Sequence, residues 1–198
     1  MTKDLSEMSK EELWQLFPIF LTKHQDLWAA QYAEEKTHLE TFLSPFHNVA
    51  INHIGSTVIP DIWAKPIVDI LVEIDRQEDM KQVAQALMMN GYLKMSESAN
   101  RMSFNRGYTK HGFADEVFHL HLRFSGDRDE LLFRDYLLSH PDVAAEYETL
   151  KLSLWHRYEH DRDGYTDAKT EFVKRITNLA KSKPHPGLGA SDVQKTSK

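Results

Sequence analysis

The sequence predicts an α+β domain, because helical patterns flank a central group of strand patterns instead of alternating with them. Residues 67–74 form an apolar, β-branched run that is typical of a central strand. Apolar side chains recur at helical spacing before this run and again from about residue 129 onward. We therefore expect a single domain over residues 1–180 with a helical C-terminal part. Residues 181–198 carry Pro, Gly and Ser with few apolar residues, and we expect a disordered tail there.

The N-terminal half opens with a helix whose start is marked by a capping box from Ser9 to Glu12 and whose end is marked by Pro18. Pro45 stops the second helix, and Gly91 follows the third. In chain order, the expected elements are a helix at 10–17, a helix at 28–43, strands at 48–54 and 67–74, and a helix at 80–88.

The C-terminal half is expected to add three strands and then three helices. A turn at His111 and Gly112 separates the second and third of these strands, and Pro141 follows the first helix. The expected strands are at 92–95, 101–108 and 117–124, and the expected helices are at 131–138, 143–154 and 165–176.

Composition and charge exclude several classes of protein. The 198 residues carry a formal charge of −6, which argues against binding nucleic acid through the overall charge. There is no cysteine, so disulfide scaffolds, thiolate zinc sites, iron–sulfur clusters and cysteine nucleophiles are excluded. No apolar run is long enough to span a membrane, and the charged N-terminus lacks the apolar core of a signal peptide, so we expect a cytoplasmic protein.

The first candidate for chemistry is the turn Gly55-Ser56-Thr57, which leaves a strand and enters a predicted helix. Glycine allows a ligand to approach the backbone closely, and a helix N-terminus with a free hydroxyl can hold a phosphate. The alternative is a plain connection in which Ser56 caps the helix. The residues alone leave both interpretations open.

The second candidate is Asp69, which interrupts the apolar central strand. A buried carboxylate requires a charged partner or a metal ion. Asp69 is therefore either a site residue or half of a structural ion pair, for which Lys65 is the candidate partner. Glu73 lies on the same strand face about 13 Å away, too far to share one ion, and we expect it to reach solvent.

The third candidate is a polar strand face. His119, His121 and Arg123 alternate with apolar residues in the segment FHLHLR, so they share one side of the strand. Such a face either lines a metal or phosphate pocket or is an exposed side of an antiparallel sheet. The histidines of the chain do not form the helical pattern of zinc proteases, so a dedicated zinc site is not expected.

Basic residues form the fourth candidate. Lys169 shares the inward face of the last predicted helix with Tyr165. It either extends its ammonium group out to solvent or reaches into a cleft to bind phosphate. Arg101 and Arg106 bracket a predicted strand, and each either adds positive charge to the site or is solvated.

Taken together, these segments resemble the GrpB family of predicted nucleotidyltransferases. The resemblance extends in order over about residues 11–180. It is carried by HIGSTVIPDIWAKPIVDILVEI at 53–74 and by ELWQLFPIFL, FHLHLRF, LLFRDYLLSHPDVAAEYETLK and YTDAK. It implies a nucleotidyltransferase-like mixed β-sheet packed with helices, with helical additions at both ends.

The family is similar in fold to the nucleotidyltransferase superfamily, in which a Gly-Ser turn holds nucleotide phosphates and acidic residues hold two divalent metals. The resemblance assigns Gly55 and Ser56 to the turn. It assigns Asp69 to the first acid, and thereby to a metal site for Mg²⁺ or Mn²⁺. The second acid position is Leu71 in this chain. The strand that usually supplies the third acid offers His119 and His121.

The resemblance implies a set of site residues and a function. Catalytic roles fall to Asp69, His119 and His121, and phosphate or nucleotide binding falls to Gly55, Ser56, Lys65, Arg101, Tyr165 and Lys169. The implied function is transfer of a nucleotidyl group from a nucleoside triphosphate to an unknown acceptor. The alternatives are nucleotide or phosphate-ligand binding without catalysis and, less specifically, an interaction protein. An open cleft beside Asp69 favours the transferase, whereas capping by Lys65 in a filled cleft favours the binding protein. The charge does not support nucleic acid as the acceptor.

Overall fold

The structure is a computed structural model, and it describes residues 3–76 and 79–182. The α+β prediction is confirmed, with helices before and after a mixed sheet. In chain order the elements are α1 Lys10–Leu16, α2 Leu27–Leu43, β1 Ala50–Ile54, β2 Val68–Ile74, α3 Met80–Met89, β3 Leu93–Glu97, β4 Arg101–Thr109, β5 Gly112–Phe124, α4 Asp129–Ser139, α5 Pro141–Trp155 and α6 Arg162–Ser182. Of the predicted tail, residues 181 and 182 end α6, and the remainder lies outside the described residues.

The five strands form one sheet in the order β1-β2-β5-β4-β3. The pair β2–β5 is parallel, and the other neighbouring strands are antiparallel. In the parallel pair, Asp69 lies beside His119 and Leu71 lies beside His121. The polar positions predicted on two separate strands are therefore adjacent in space.

One face of the sheet is an apolar core. Side chains such as Ile70, Leu120 and Phe104 are fully buried there against residues of α2 and α3. Full burial of each such side chain stabilises the fold by about 1.5–3 kcal/mol. The polar positions predicted at Asp69, His119 and His121 lie on the other face of the sheet.

The opposite face carries Asp69 and is partly covered by the C-terminal helices. Leu71 packs with Ile54 of β1 and with Leu131 of α4, and it is fully buried. The N-terminal segment is tied to the same helical part, because Trp155 donates from Nε1 to the Ile19 carbonyl at 2.8 Å. The segment around Ile19 thus packs against the C-terminal helices, whereas α2 packs on the apolar face of the sheet.

Two local expectations were wrong. No α-helix follows the Gly-Ser turn, because Ser56–Val58 is a single 3₁₀ turn. Pro60 disfavours the helical conformation at Ile59, which is extended with φ −88° and ψ 119°. Glu73 does not reach solvent either; it is buried, and its carboxylate accepts from Asn52 Nδ2 at 3.4 Å. Among the described residues, no helix combines the length and the apolar character that crossing a membrane requires.

Candidate functional site

The turn after β1 requires glycine for two reasons. Gly55 has φ +75°, in the left-handed region that side chains rarely adopt. It follows Ile54, the cross-strand partner of Asp69, and a Cβ at position 55 would overlap the Asp69 carboxylate. The turn and the carboxylate are therefore in direct contact.

Two hydrogen bonds fix this turn. His53 Nε2 lies 2.9 Å from Thr57 Oγ1, and both side chains are buried. Arg134 donates from Nη1 to the His53 carbonyl at 2.9 Å. Burial lowers the pKa of His53 to about 4, so the imidazole is neutral at pH 7. The hydroxyl of Ser56, which does not cap a helix, hydrogen-bonds to Tyr147 and lines a cavity.

Asp69 is held by two histidines from β5. Its Oδ1 atom lies 3.4 Å from His119 Nδ1 and 3.9 Å from His121 Nε2. Burial alone would raise the pKa of Asp69, but hydrogen bonds from the two imidazoles outweigh it and hold this pKa well below its usual range. The carboxylate is therefore ionised at neutral pH. Among the described residues, Asp69 has these two histidines as its side-chain partners and forms no ion pair with Lys65.

The proton on His119 can be assigned from its partners. Arg162 only donates, and its Nη2 lies 2.7 Å from the Tyr108 hydroxyl oxygen. The Tyr108 proton then points to His119 Nε2 at 2.7 Å, so this nitrogen is an acceptor. Burial lowers the pKa of His119 to about 4, although Asp69 opposes the shift. The neutral ring therefore carries its proton on Nδ1, facing Asp69.

His121 is oriented in the same way by a different cation. Arg123 Nη2 lies 3.2 Å from His121 Nδ1, and a guanidinium can only donate there. Neutral His121 thus carries its proton on Nε2, the atom nearest to Asp69. Both histidines present N–H groups to the carboxylate, and neither directs a lone pair towards it. In this arrangement they position Asp69, and a role as base or metal ligand requires the opposite tautomer.

A cavity of about 300 Å³ opens on one side of Asp69. Four cationic side chains line it, and we call it the cationic cavity: Lys65, Lys151, Arg162 and Lys169. The Tyr165 ring forms its floor, with the ammonium groups of Lys169 and Lys65 at 4.2 and 5.3 Å from the ring centre. The Tyr165 hydroxyl is buried and has no hydrogen-bond partner among the described residues.

Burial lowers the pKa values of the three lysines in this cavity. Burial and the charge of Lys169 lower the pKa of Lys151 to about 7. Burial lowers the pKa of Lys169 to about 8, although Asp69 opposes the shift. Burial, followed by Lys169 and Arg162, holds the pKa of Lys65 well below its usual value. Such a concentration of positive charge indicates a site for a polyanion.

A second cavity, of about 400 Å³, also has Asp69 in its wall. We call it the outer cavity. It shares four residues with the cationic cavity: Gly55, Asp69, His121 and Tyr147. Helix α6 crosses both, with Lys169 on the first and Thr177 on the second. Asp69 is therefore accessible from two directions.

Most of the predicted site residues come together. Those that line the cationic cavity are Gly55, Ser56, Lys65, Asp69, His119, His121, Tyr165 and Lys169. Arg101 lies apart from the other cations, on the outer cavity, where its Nε atom pairs with Asp127 at 2.7 Å. Arg106 lies on the other, apolar face of the sheet. There it is paired with the buried carboxylate of Glu35, so it does not contribute to this site.

Sequence reasoning missed four residues: Tyr108, Tyr147, Lys151 and Arg162. Two of them had a visible signal. Lys151 follows Tyr147 by four positions on the inward face of α5, and Arg162 precedes Tyr165 by three positions on α6. A lysine within an apolar helix stripe indicates either a buried cation or a site.

The residues present fit one kind of metal site only. No group of three or more His, Cys, Asp or Glu side chains able to hold a metal occurs in the part of the chain that the structure describes. Asp69 is a single carboxylate, and its two histidine neighbours donate to it. Mg²⁺ can nevertheless be held by one carboxylate together with substrate phosphates and water. The donor set therefore fits a metal ion shared with a phosphate ligand, and it does not fit two metals.

Comparisons with known proteins give the family. The family model described as GrpB protein matches residues 18–179. The chain is 36% identical over 163 residues to the UPF0157 protein YqkA of Bacillus subtilis, covering 80% of this chain and 46% of that protein. The chain thus spans about half the length of that curated relative.

A solved structure agrees with this assignment. The crystal structure of the conserved protein GrpB from Enterococcus faecalis is 29% identical, with a TM-score of 0.69, and the match covers 81% of this chain and 96% of that chain. A structure of the Cid1 poly(U) polymerase with MgGTP is 18% identical with a TM-score of 0.45, covering 69% of this chain and 44% of that chain. The family match spans most of the sequence, so the chain belongs to the GrpB family.

Proposed function

We propose that this member of the GrpB family binds a nucleoside triphosphate in the cationic cavity and transfers its nucleotidyl group to an acceptor. One observation carries the proposal: the Gly55-Ser56 turn, the ionised Asp69 carboxylate and four cationic side chains surround a single cavity. A triphosphate carries several negative charges, and the lysine and arginine side chains of this cavity can donate hydrogen bonds to its oxygens.

The state of the cleft supports transfer over binding alone. The sequence left two outcomes open, an open cleft beside Asp69 or a cleft closed by Lys65. Asp69 lines two cavities, and Lys65 lies over the Tyr165 ring instead of capping the carboxylate. The carboxylate is thus available to a ligand in the cleft.

Different residues of the site bind the phosphates and orient the attacking hydroxyl. The lysines and Arg162 hold the phosphates and offset their charge, because ammonium and guanidinium groups form strong, charge-assisted hydrogen bonds with phosphate oxygens. Asp69 orients the attacking hydroxyl, and the N–H groups of His119 and His121 keep the carboxylate in place. Most of the rate enhancement in phosphoryl and nucleotidyl transfer comes from such positioning and electrostatics.

Mg²⁺ or Mn²⁺ is proposed to arrive with the triphosphate. Asp69 would hold the ion together with phosphate oxygens, and the ion would offset negative charge that develops on the transferring group. The absence of a second acid at Leu71 makes the ligand phosphates part of the metal site. Metal binding is therefore expected to depend on the triphosphate.

A second candidate is a polyphosphate-binding protein without transferase activity. It is favoured by the buried apolar side chain of Leu71 at the second acid position. It is favoured also by the tautomers of His119 and His121, which leave neither imidazole free to act as a base beside Asp69.

The two candidates are separated by isotope transfer. The purified protein is incubated with fractions of a bacterial extract as the source of acceptor, with each of the four α-³²P-labelled ribonucleoside triphosphates, and with Mg²⁺. Asp69→Asn is the control. A transferase releases pyrophosphate and passes the label to another molecule, and Asp69→Asn does not. Tight triphosphate binding with no pyrophosphate release in any cell fraction would establish the binding protein instead.

A further inference from the structure

The outer cavity lies where an attacking group must enter. In nucleotidyl transfer, the attacking and leaving oxygens lie roughly in line on opposite sides of the phosphorus. The leaving pyrophosphate is a polyanion, and the cations that suit it lie on one side of Asp69. The attacker must therefore approach from the side away from these cations. The outer cavity has Asp69 in its wall but none of the four cations, and its residues on α6 begin at Val173, beyond Lys169, so it is the candidate for this approach.

The charges of the outer cavity are balanced, unlike those of the cationic cavity. Each of its three cations has a carboxylate partner, which are the pairs Arg101–Asp127, Lys174–Glu171 and Lys181–Asp129. Of its two remaining acids, Glu130 is paired with Arg123 at 2.9 Å, and Asp69 lies beside His119 and His121. A polynucleotide acceptor needs a surface of unpaired positive charge along its backbone. The outer cavity does not provide one.

The walls of the outer cavity suit a small molecule with an apolar side. Ile54, Phe133 and Val173 contribute apolar surface, while Thr177 and Asn178 add a hydroxyl and an amide. Glu130 Oε2 is buried and has no hydrogen-bond partner among the described residues, so it is a free acceptor at this wall. The volume of about 400 Å³ is in the range of small-molecule sites.

We infer that the outer cavity binds the acceptor, and that the acceptor is an uncharged or zwitterionic small molecule bearing a hydroxyl group. This inference rests on the proposed function. The hydroxyl oxygen attacks the α-phosphorus and forms a new P–O bond. The bond from that phosphorus to the bridging oxygen breaks, and pyrophosphate leaves with the electron pair into the cationic cavity. The hydroxyl proton is released to solvent.

The experiment fills the outer cavity without altering the cationic one. Asn178 and Leu179 are adjacent, exposed residues of α6, and only Asn178 lines the outer cavity. Asn178→Trp is compared with Leu179→Trp, which adds the same side chain one position away. Each protein receives the four α-³²P-labelled triphosphates with Mg²⁺ and one of three acceptor pools from a bacterial extract. The pools are molecules below about 1 kDa, in the size range of small-molecule ligands, total RNA, and protein. Affinity for inorganic tripolyphosphate is measured in parallel.

We expect label in the small-molecule pool. Asn178→Trp lowers this transfer at least about tenfold, equivalent to about 1.4 kcal/mol, while Leu179→Trp and tripolyphosphate affinity stay unchanged. Label in RNA or protein, or transfer that Asn178→Trp leaves unchanged, overturns the inference and leaves the proposed function intact. Triphosphate binding without labelling of any pool overturns transfer itself, and with it the inference. If the wild-type protein binds neither the triphosphates nor tripolyphosphate, the proposed function is wrong.

Discussion

The Asp69 carboxylate occupies the space that a Cβ atom at Gly55 would need. The β1–β2 register pairs Ile54, the last residue of β1, with Asp69, and this pairing brings the next residue, Gly55, against the carboxylate. The turn that is proposed to hold phosphate and the acid that is proposed to hold the metal are therefore set at a fixed distance by sheet pairing.

Gly55→Ala is expected to damage both stability and binding. The new side chain is strained by φ +75° and also displaces Asp69. Strain of this kind costs about 1–3 kcal/mol. Gly91→Ala is the matched control, because Gly91 has φ +87° but nothing within 4 Å of the added Cβ. Denaturant unfolding measures the free energy of unfolding of the two variants, and titration measures their affinity for tripolyphosphate. Equal stability losses, with binding retained in both variants, would refute the contact argument.

Asp69→Asn is expected to weaken magnesium-dependent triphosphate binding at least about tenfold while the fold is retained. The amide keeps an oxygen for the histidine N–H groups but loses the charge that a divalent cation requires. Calorimetric titration of ATP with Mg²⁺ measures the affinity, and Asp167→Asn, at an exposed position of α6, is the control. Unchanged affinity in Asp69→Asn would remove this residue from the metal site.

Much of this arrangement could be predicted from local sequence. The Gly-Ser turn, the interrupted apolar strand at Asp69 and the alternation of His119 with His121 all follow from short-range patterns. The strand period already places the two histidines on one face, and the structure sets that face beside Asp69.

The positions of Tyr108, Lys151 and Arg162 at the site depend on strand register and helix packing, which local sequence patterns do not predict. Strict alternation along β4 places Tyr108 with Phe104 and Arg106, away from His119. The register shifts between Arg106 and Tyr108, where Gly107 has φ +87°, and Tyr108 thereby reaches His119. Lys151 and Arg162 enter the cavity only because α5 and α6 pack beside this face of the sheet, which no local spacing reveals.

Lys169→Ala is expected to weaken triphosphate binding more than monophosphate binding. Hydrogen bonds to charged groups contribute about 1.5–3 kcal/mol, so a loss of about tenfold to a hundredfold is expected for the triphosphate. Lys174→Ala, on the same helix and paired with Glu171, is the control. Comparable weakening of ATP and AMP binding in Lys169→Ala would indicate that Lys169 acts by packing.

Affinity for tripolyphosphate is expected to fall as pH rises from about 6 to about 9. In the free protein, the pKa values of Lys151 and Lys169 are about 7 and about 8, so both lose their protons across this window. A bound anion favours the protonated lysines, and binding therefore takes up protons. The charged and titratable groups around them are Lys65, Arg162, Asp69, His119 and, beside Lys151, Glu148. Calorimetry in two buffers of different ionisation enthalpy measures the uptake; an affinity that is constant with pH would contradict it.

Tyr108→Phe is expected to release the tautomer of His119. The hydroxyl that donates to Nε2 is lost, so the proton is free to occupy either ring nitrogen. Nitrogen-15 NMR of the imidazole should report protonated Nδ1 in the wild type and a mixture in the variant. Tyr158→Phe, at a tyrosine that does not line the cationic cavity, is the control. Protonated Nε2 in the wild type would contradict the assigned relay.

The measurement that tests the central claim most directly is calorimetric titration of the wild-type protein with each of the four nucleoside triphosphates, in Mg²⁺ and in EDTA. A site built from four cations and one carboxylate should bind at least one triphosphate saturably, more tightly with Mg²⁺ than in EDTA. If none of the four binds under either condition, the cationic cavity is not a nucleotide site, and the account is wrong.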